Sequence, residues 1–62
     1  MNYYVITFGF EDNDENEYKI SKSKPILAEN EDDACIMLKD QFEMNEGVDC
    51  EIHSVKLVTN QI

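Results

Sequence analysis

The run NYYVITFGF, residues 2–10, limits what this chain can become more than any other stretch. Aromatic and β-branched residues dominate it, which predicts a strand. Tyr4, Ile6, Phe8 and Phe10 fall on one face and Tyr3, Val5, Thr7 and Gly9 on the other. Both faces are largely apolar, so the strand is expected at the centre of a sheet rather than at its edge. Gly9 marks a bulge or a close approach by another group. A chain of 62 residues is one domain, and it buries only about 60% of the surface its unfolded form exposes.

The rest of the chain is read around that strand. EDNDENE, residues 11–17, is a turn, because Asn and Asp bond to nearby backbone and tolerate left-handed conformations. EYKISKS, residues 17–23, alternates Tyr18 and Ile20 with polar residues and is a half-exposed strand, ended or bent by Pro25. Lys19, Lys22 and Lys24 cluster there and guard an edge. Ile26, Leu27 and Ala28 resume an extended path. Asn30 is a helix N-cap, Glu31, Asp32 and Asp33 suit the positive end of the helix dipole, and Gly47 is the stop. The helix, 31–46, is expected to face inward with Ala34, Met37, Leu38, Gln41 and Phe42, leaving Ile36 outside.

A last strand covers 48–58. Val48, Cys50 and Ile52 are out of phase with Val55 and Leu57, and a bulge near His53–Ser54 would return both sets to one face. The tail from Thr59 to Ile62 is expected to fray. The fold class is therefore α+β: a three-stranded antiparallel sheet, β-β-α-β, in spatial order 2-1-3, with one helix on one face. The other face stays open. Tyr3 and Val5 on it are candidate homodimer contacts or apolar anchors, and Ile36 is a second anchor.

Composition narrows function mainly by exclusion. Net charge is -9, with 14 acids against five lysines and no arginine. Direct binding of nucleic acid or of an anionic membrane needs the opposite sign. No apolar run is long enough to span a bilayer, and no secretory signal precedes NYYVITFGF, so a cytoplasmic protein is expected. Cys35 and Cys50 are expected to stay reduced.

EDNDENE places Asp12, Asp14 and Asn16 at the first ligand positions of a calcium loop, but Glu17 stands where the glycine belongs and Ser23 where the last carboxylate belongs. Cys35, Cys50 and His53 lack zinc-binding spacing. No metal, cofactor or catalytic residue is expected, and the chain is read as not an enzyme.

The remaining reading is charge mimicry. A compact chain of this length spans roughly 25–30 Å, and duplex DNA of that length carries on the order of 16 charges. Fourteen carboxylates are a comparable number. The candidate partner-binding residues are Glu11, Asp12, Asp14, Glu15 and Glu17 in the turn, Glu31, Asp32 and Asp33 at the helix start, and Asp40, Glu43 and Glu46 along the helix. In size and acidity, with EDNDENE and ENEDDACIMLKDQF as its acidic stretches, the chain resembles small bacteriophage-encoded inhibitors, including DNA mimics and certain anti-CRISPR proteins. The resemblance implies a partner with a basic surface, such as a nucleic-acid-handling enzyme, in the host cytoplasm. The alternative is a homodimeric assembly module whose acidity serves solubility.

Overall fold

The apolar run is the axis of the sheet. In the computed structural model, which describes residues 1–60, it forms strand β1 (Asn2–Asp12). Strands β2 (Glu17–Lys22), β3 (Ile26–Ala28) and β4 (Glu51–Asn60) all pair with β1, antiparallel, and helix α1 (Glu31–Glu46) joins β3 to β4. Residues 2–4 of β1 pair with both β3 and β4, and residues 7–9 with both β2 and β4. β2 and β3 therefore share one edge of β1, end to end, and β4 takes the other. The architecture is the expected α+β sheet with β1 in the middle; β3 is an added strand that continues the line of β2.

The break between β2 and β3 has a local cause. Pro25 has no N–H to give to the ladder. Ser23 bridges the gap instead: its N–H donates to the Ile6 carbonyl at 2.8 Å, and its Oγ accepts from the Ile6 N–H at 2.9 Å. Ile6 is fully buried, so losing that acceptor strands a buried donor. Ser23→Ala is expected to cost about 1–2 kcal/mol in a urea melt, whereas Ser21→Ala, on an exposed site of the same strand, leaves the midpoint in place.

Helix α1 begins and ends as its sequence dictates. Asn30 is extended and its Oδ1 accepts from the Asp33 N–H at 2.8 Å. Gly47 takes the left-handed conformation (φ 73°) and its N–H donates to the Glu43 carbonyl. The buried stripe is narrower than expected. Ala34 and Leu38 are buried and Cys35 and Phe42 partly so, whereas Met37 and Gln41 are exposed. A single helix over a narrow sheet covers only its mid-line, so residues flanking that line reach water.

Tyr4, Ile6 and Phe8 of β1 meet Ala28, Ala34, Leu38 and Cys50 in the core. Phe8, Phe10 and Phe42 form an aromatic cluster at its edge, with ring centroids 5.0–6.1 Å apart. The register of β4 shifts at His53, so that Ile52 lies opposite Phe8 and Val55 opposite Ile6. That is the bulge the phase change demanded.

Two boundaries differ from expectation. β4 starts at Glu51 rather than 48, because the Cys50 N–H is taken by the Asp49 side chain at 2.9 Å instead of by a strand. It also continues past 58: Thr59 and Asn60 lie opposite Tyr3 and Asn2, where fraying was expected. Gln61 and Ile62, the rest of that tail, lie outside the described residues. The molecule is also elongated, 42 × 18 × 15 Å, since eleven residues of β1 alone reach about 35 Å.

Candidate functional site

The acidic turn is a closed hairpin end. Asp12 pairs with Glu17, leaving Asn13–Asn16 as the loop. Asn16 supplies the left-handed residue (φ 57°). The Asp12 carboxylate accepts from the N–H groups of Asp14 (3.0 Å) and Glu15 (3.3 Å), which shapes the turn. Lys19 reaches back to Asp12 at 3.0 Å and also bonds Glu15. Its hydrogen bond, then the Glu15 N–H, holds the Asp12 carboxyl below the usual carboxylate range. The stability this gives is present at neutral pH and is lost as pH falls through the lowered Asp12 value; both groups face water, so it is small.

Asp12 and Glu15 therefore have local work. Glu11, Asp14 and Glu17 have no ion-pair partner among the described residues. The helix exit adds to them. Glu46 lines a shallow cleft of about 260 Å³ together with Glu11, Asp12 and Asp14. On the neighbouring flank Asp49 and Glu51 share a second concavity with Glu11 and Lys39. Glu43 and Glu46 sit in the last turn of α1, which carries no basic residue. That end of a helix dipole is negative, so acids there are unfavourable by a few tenths of a kcal/mol or more.

The other proposed contacts lie elsewhere. Glu31, Asp32 and Asp33 are at the opposite end of α1, about 20 Å from Glu46 by helical rise. There Asp33 adjoins Met1, Leu27, Ile36 and Met37. Asp40 lies between, beside Glu43 and Met44. Tyr3 and Val5, both half-buried, are on the sheet face away from the helix, whereas Ile36 is exposed on the helix itself. The structure thus joins the hairpin acids to Glu46, with Glu43 one turn before it, and separates both from the helix-start acids and the apolar anchors. Spread along 42 Å, where duplex DNA carries about 25 charges, the 14 acids fall short of its density over the whole body.

The open face holds a constellation that sequence reasoning missed. Tyr18 on β2 lies across β1 at Gly9 and reaches β4. Its Oη is 2.8 Å from His53 Nε2 and 3.1 Å from Glu51 Oε1. A phenol has one proton, so both contacts are satisfied when Tyr18 donates to Glu51 and His53 Nε2–H donates to Tyr18. Burial and the neighbouring carboxylates of Glu51 and Glu11 push the Tyr18 phenol above its ordinary value.

Gly9 makes this crossing feasible. A Cβ there would sit 2.7 Å from His53 Nε2 and nearer still to the Tyr18 hydroxyl. Gly9→Ala is expected to displace the Tyr18 ring and change the His53 ring signals in NMR. Stability should move by less than about 1 kcal/mol, because alanine suits a strand better than glycine. The sequence signals were Gly9 and the Glu51/His53 spacing; only the pairing of β1 with β2 brings Tyr18 to them.

The thiols are not a site. Cys50 is buried in the core and His53 is on the open face, so they do not meet. Both thiols are free, and burial pushes each above its ordinary pKa, the reverse of an activated nucleophile. Among the described residues no three His, Cys, Asp or Glu side chains converge as metal ligands, and no helix is long and apolar enough to cross a membrane. Comparisons with protein-family models, curated proteins and solved structures give no match to this chain.

Proposed function

We propose that this chain is a non-enzymatic acidic binding protein whose hairpin end occupies a basic surface of a protein partner. A nucleic-acid-handling enzyme fits that description, since its channel presents lysines and arginines that carboxylates can pair with in place of phosphates. The carrying observation is that Glu46 lines one cleft with Glu11, Asp12 and Asp14, with Glu43 one turn away and no basic residue in the last helical turn. The fold gains nothing from it, because repulsion and the helix dipole both oppose it. Inhibition by charge mimicry is the corresponding mechanism. The test is capture of partners from source-cell extract at low and high salt: a basic protein retained only at low salt supports the reading, and retention indifferent to salt opposes it.

A second reading has one observation in its favour. The open sheet face exposes Ile20 (64%) and Tyr18 (46%) beside half-buried Tyr3 and Val5. Lys22 and Lys56 lie opposite Thr7 and Val5 on that same face. Charge therefore opposes self-association less there than at the hairpin end. A homodimer through this face would survive high salt and be lost with Val5→Asp.

A further inference from the structure

The geometry points to a binding site for a divalent transition ion of the zinc type on the open sheet face, formed by Tyr18 Oη, His53 Nε2 and Glu51 Oε1. It is independent of the acidic hairpin end. The three donor atoms lie 2.8, 3.1 and 3.7 Å from one another. Ligands about 2.0–2.2 Å from a tetrahedral zinc ion are separated by roughly 3.3 Å, and the three distances straddle that value. One point just outside the plane of the three atoms therefore lies within bonding distance of all of them. The donors come from two strands that are not paired with each other but flank β1, and the missing Cβ at Gly9 lets them converge.

The donor set suits the ion. Imidazole nitrogen with oxygen donors selects zinc and its neighbours over calcium or magnesium, which prefer all-oxygen sites. The face is open, so a fourth position is left for water. On binding, one metal–nitrogen and two metal–oxygen bonds replace metal–water bonds of the hydrated ion, whose waters leave to solvent. The Tyr18 O–H bond breaks and its proton leaves to solvent, while the His53 proton resides on Nδ1 so that Nε2 can ligate. Ionised Glu51 and the Tyr18 phenolate together balance the two positive charges of the ion. Glu51 and Glu11 oppose ionisation of the free phenol, so the Tyr18 phenolate forms only against the bound ion.

The test is a calorimetric Zn2+ titration of the full chain in millimolar Mg2+, with NMR of the single histidine and ultraviolet difference spectra for tyrosinate. One equivalent is expected to bind, shifting His53 and producing a tyrosinate signal that Tyr18→Phe removes. His53→Ala is expected to weaken binding more than about tenfold. Glu51→Gln keeps an acceptor for Tyr18 and tests the carboxylate alone; Gly9→Ala removes the crossing while leaving a folded chain by circular dichroism, and both should also weaken binding. If Zn2+ binding survives His53→Ala and Gly9→Ala, or is lost instead on neutralising the hairpin acids, the ion is held by surface carboxylates or thiols and the site is overturned.

Discussion

Ile6→Ala is expected to leave most of the chain unfolded at room temperature. Ile6 is the one large side chain that is wholly buried among the described residues. It contacts a core whose other fully enclosed members include two alanines and a cysteine. Truncating a buried isoleucine costs about 2–5 kcal/mol, and a domain of this size holds only about 3–5 kcal/mol in total. The two are comparable, so the cooperative urea transition should vanish or move close to zero denaturant. Ile6→Val, at about 0.5–1.5 kcal/mol, should keep the fold with a lowered midpoint. Ile36→Ala removes an aliphatic group of similar size from a position 57% exposed and should barely move it. A core that tolerated Ile6→Ala would mean that burial beneath the four-stranded sheet is not what holds this chain together.

Neutralising the hairpin end is expected to weaken partner binding sharply without harming the fold. The variant carries Glu11→Gln, Asp14→Asn, Glu15→Gln and Glu17→Gln; it retains Asp12 because that carboxylate shapes the turn, and gives up only the exposed Lys19–Glu15 ion pair, which is worth little. Removing four like charges relieves repulsion, so the thermal midpoint should stay or rise. Affinity for a basic partner should fall by about a hundredfold at low salt, each interfacial charge contributing a several-fold factor. Asp32→Asn with Asp33→Asn, at the far end of the helix, is the positional control. Those carboxylates sit at the favourable end of the helix dipole, so their loss should lower stability slightly and leave affinity nearly intact.

What the sequence revealed and what it concealed divide along physical lines. Short-range rules worked. The two-faced apolar pattern put β1 in the middle, Asn30 and Gly47 bounded the helix, and the phase slip between Ile52 and Val55 required a bulge where the register shifts at His53. Properties set by placement in space did not show. The inward stripe of α1 is narrower than its periodicity implied, because one helix on a narrow sheet exposes Met37 and Gln41. Ser23 closes the ladder across the Pro25 break through a side chain, which no strand pattern encodes.

The candidate site was legible only as a list of acids. Counting carboxylates suggested a whole-body match to DNA; the 42 Å length and the separation of Asp32 and Asp33 from the hairpin remove that match for the body as a whole. The approach of Glu46 to Glu11 and Asp14 depends on α1 ending beside the hairpin. The Tyr18–Glu51–His53 convergence depends on three strands lying side by side. Both are facts of topology, and neither follows from spacing along the chain.

The most direct measurement is the salt dependence of association with the captured partner, for the wild-type chain and the four-site hairpin variant side by side. The account predicts that log K falls steeply and linearly with log salt for the wild type, and that the variant binds weakly with a much shallower slope. Equal slopes for the two proteins, or an affinity that ignores salt, would contradict it and move the working surface to the open face of the sheet.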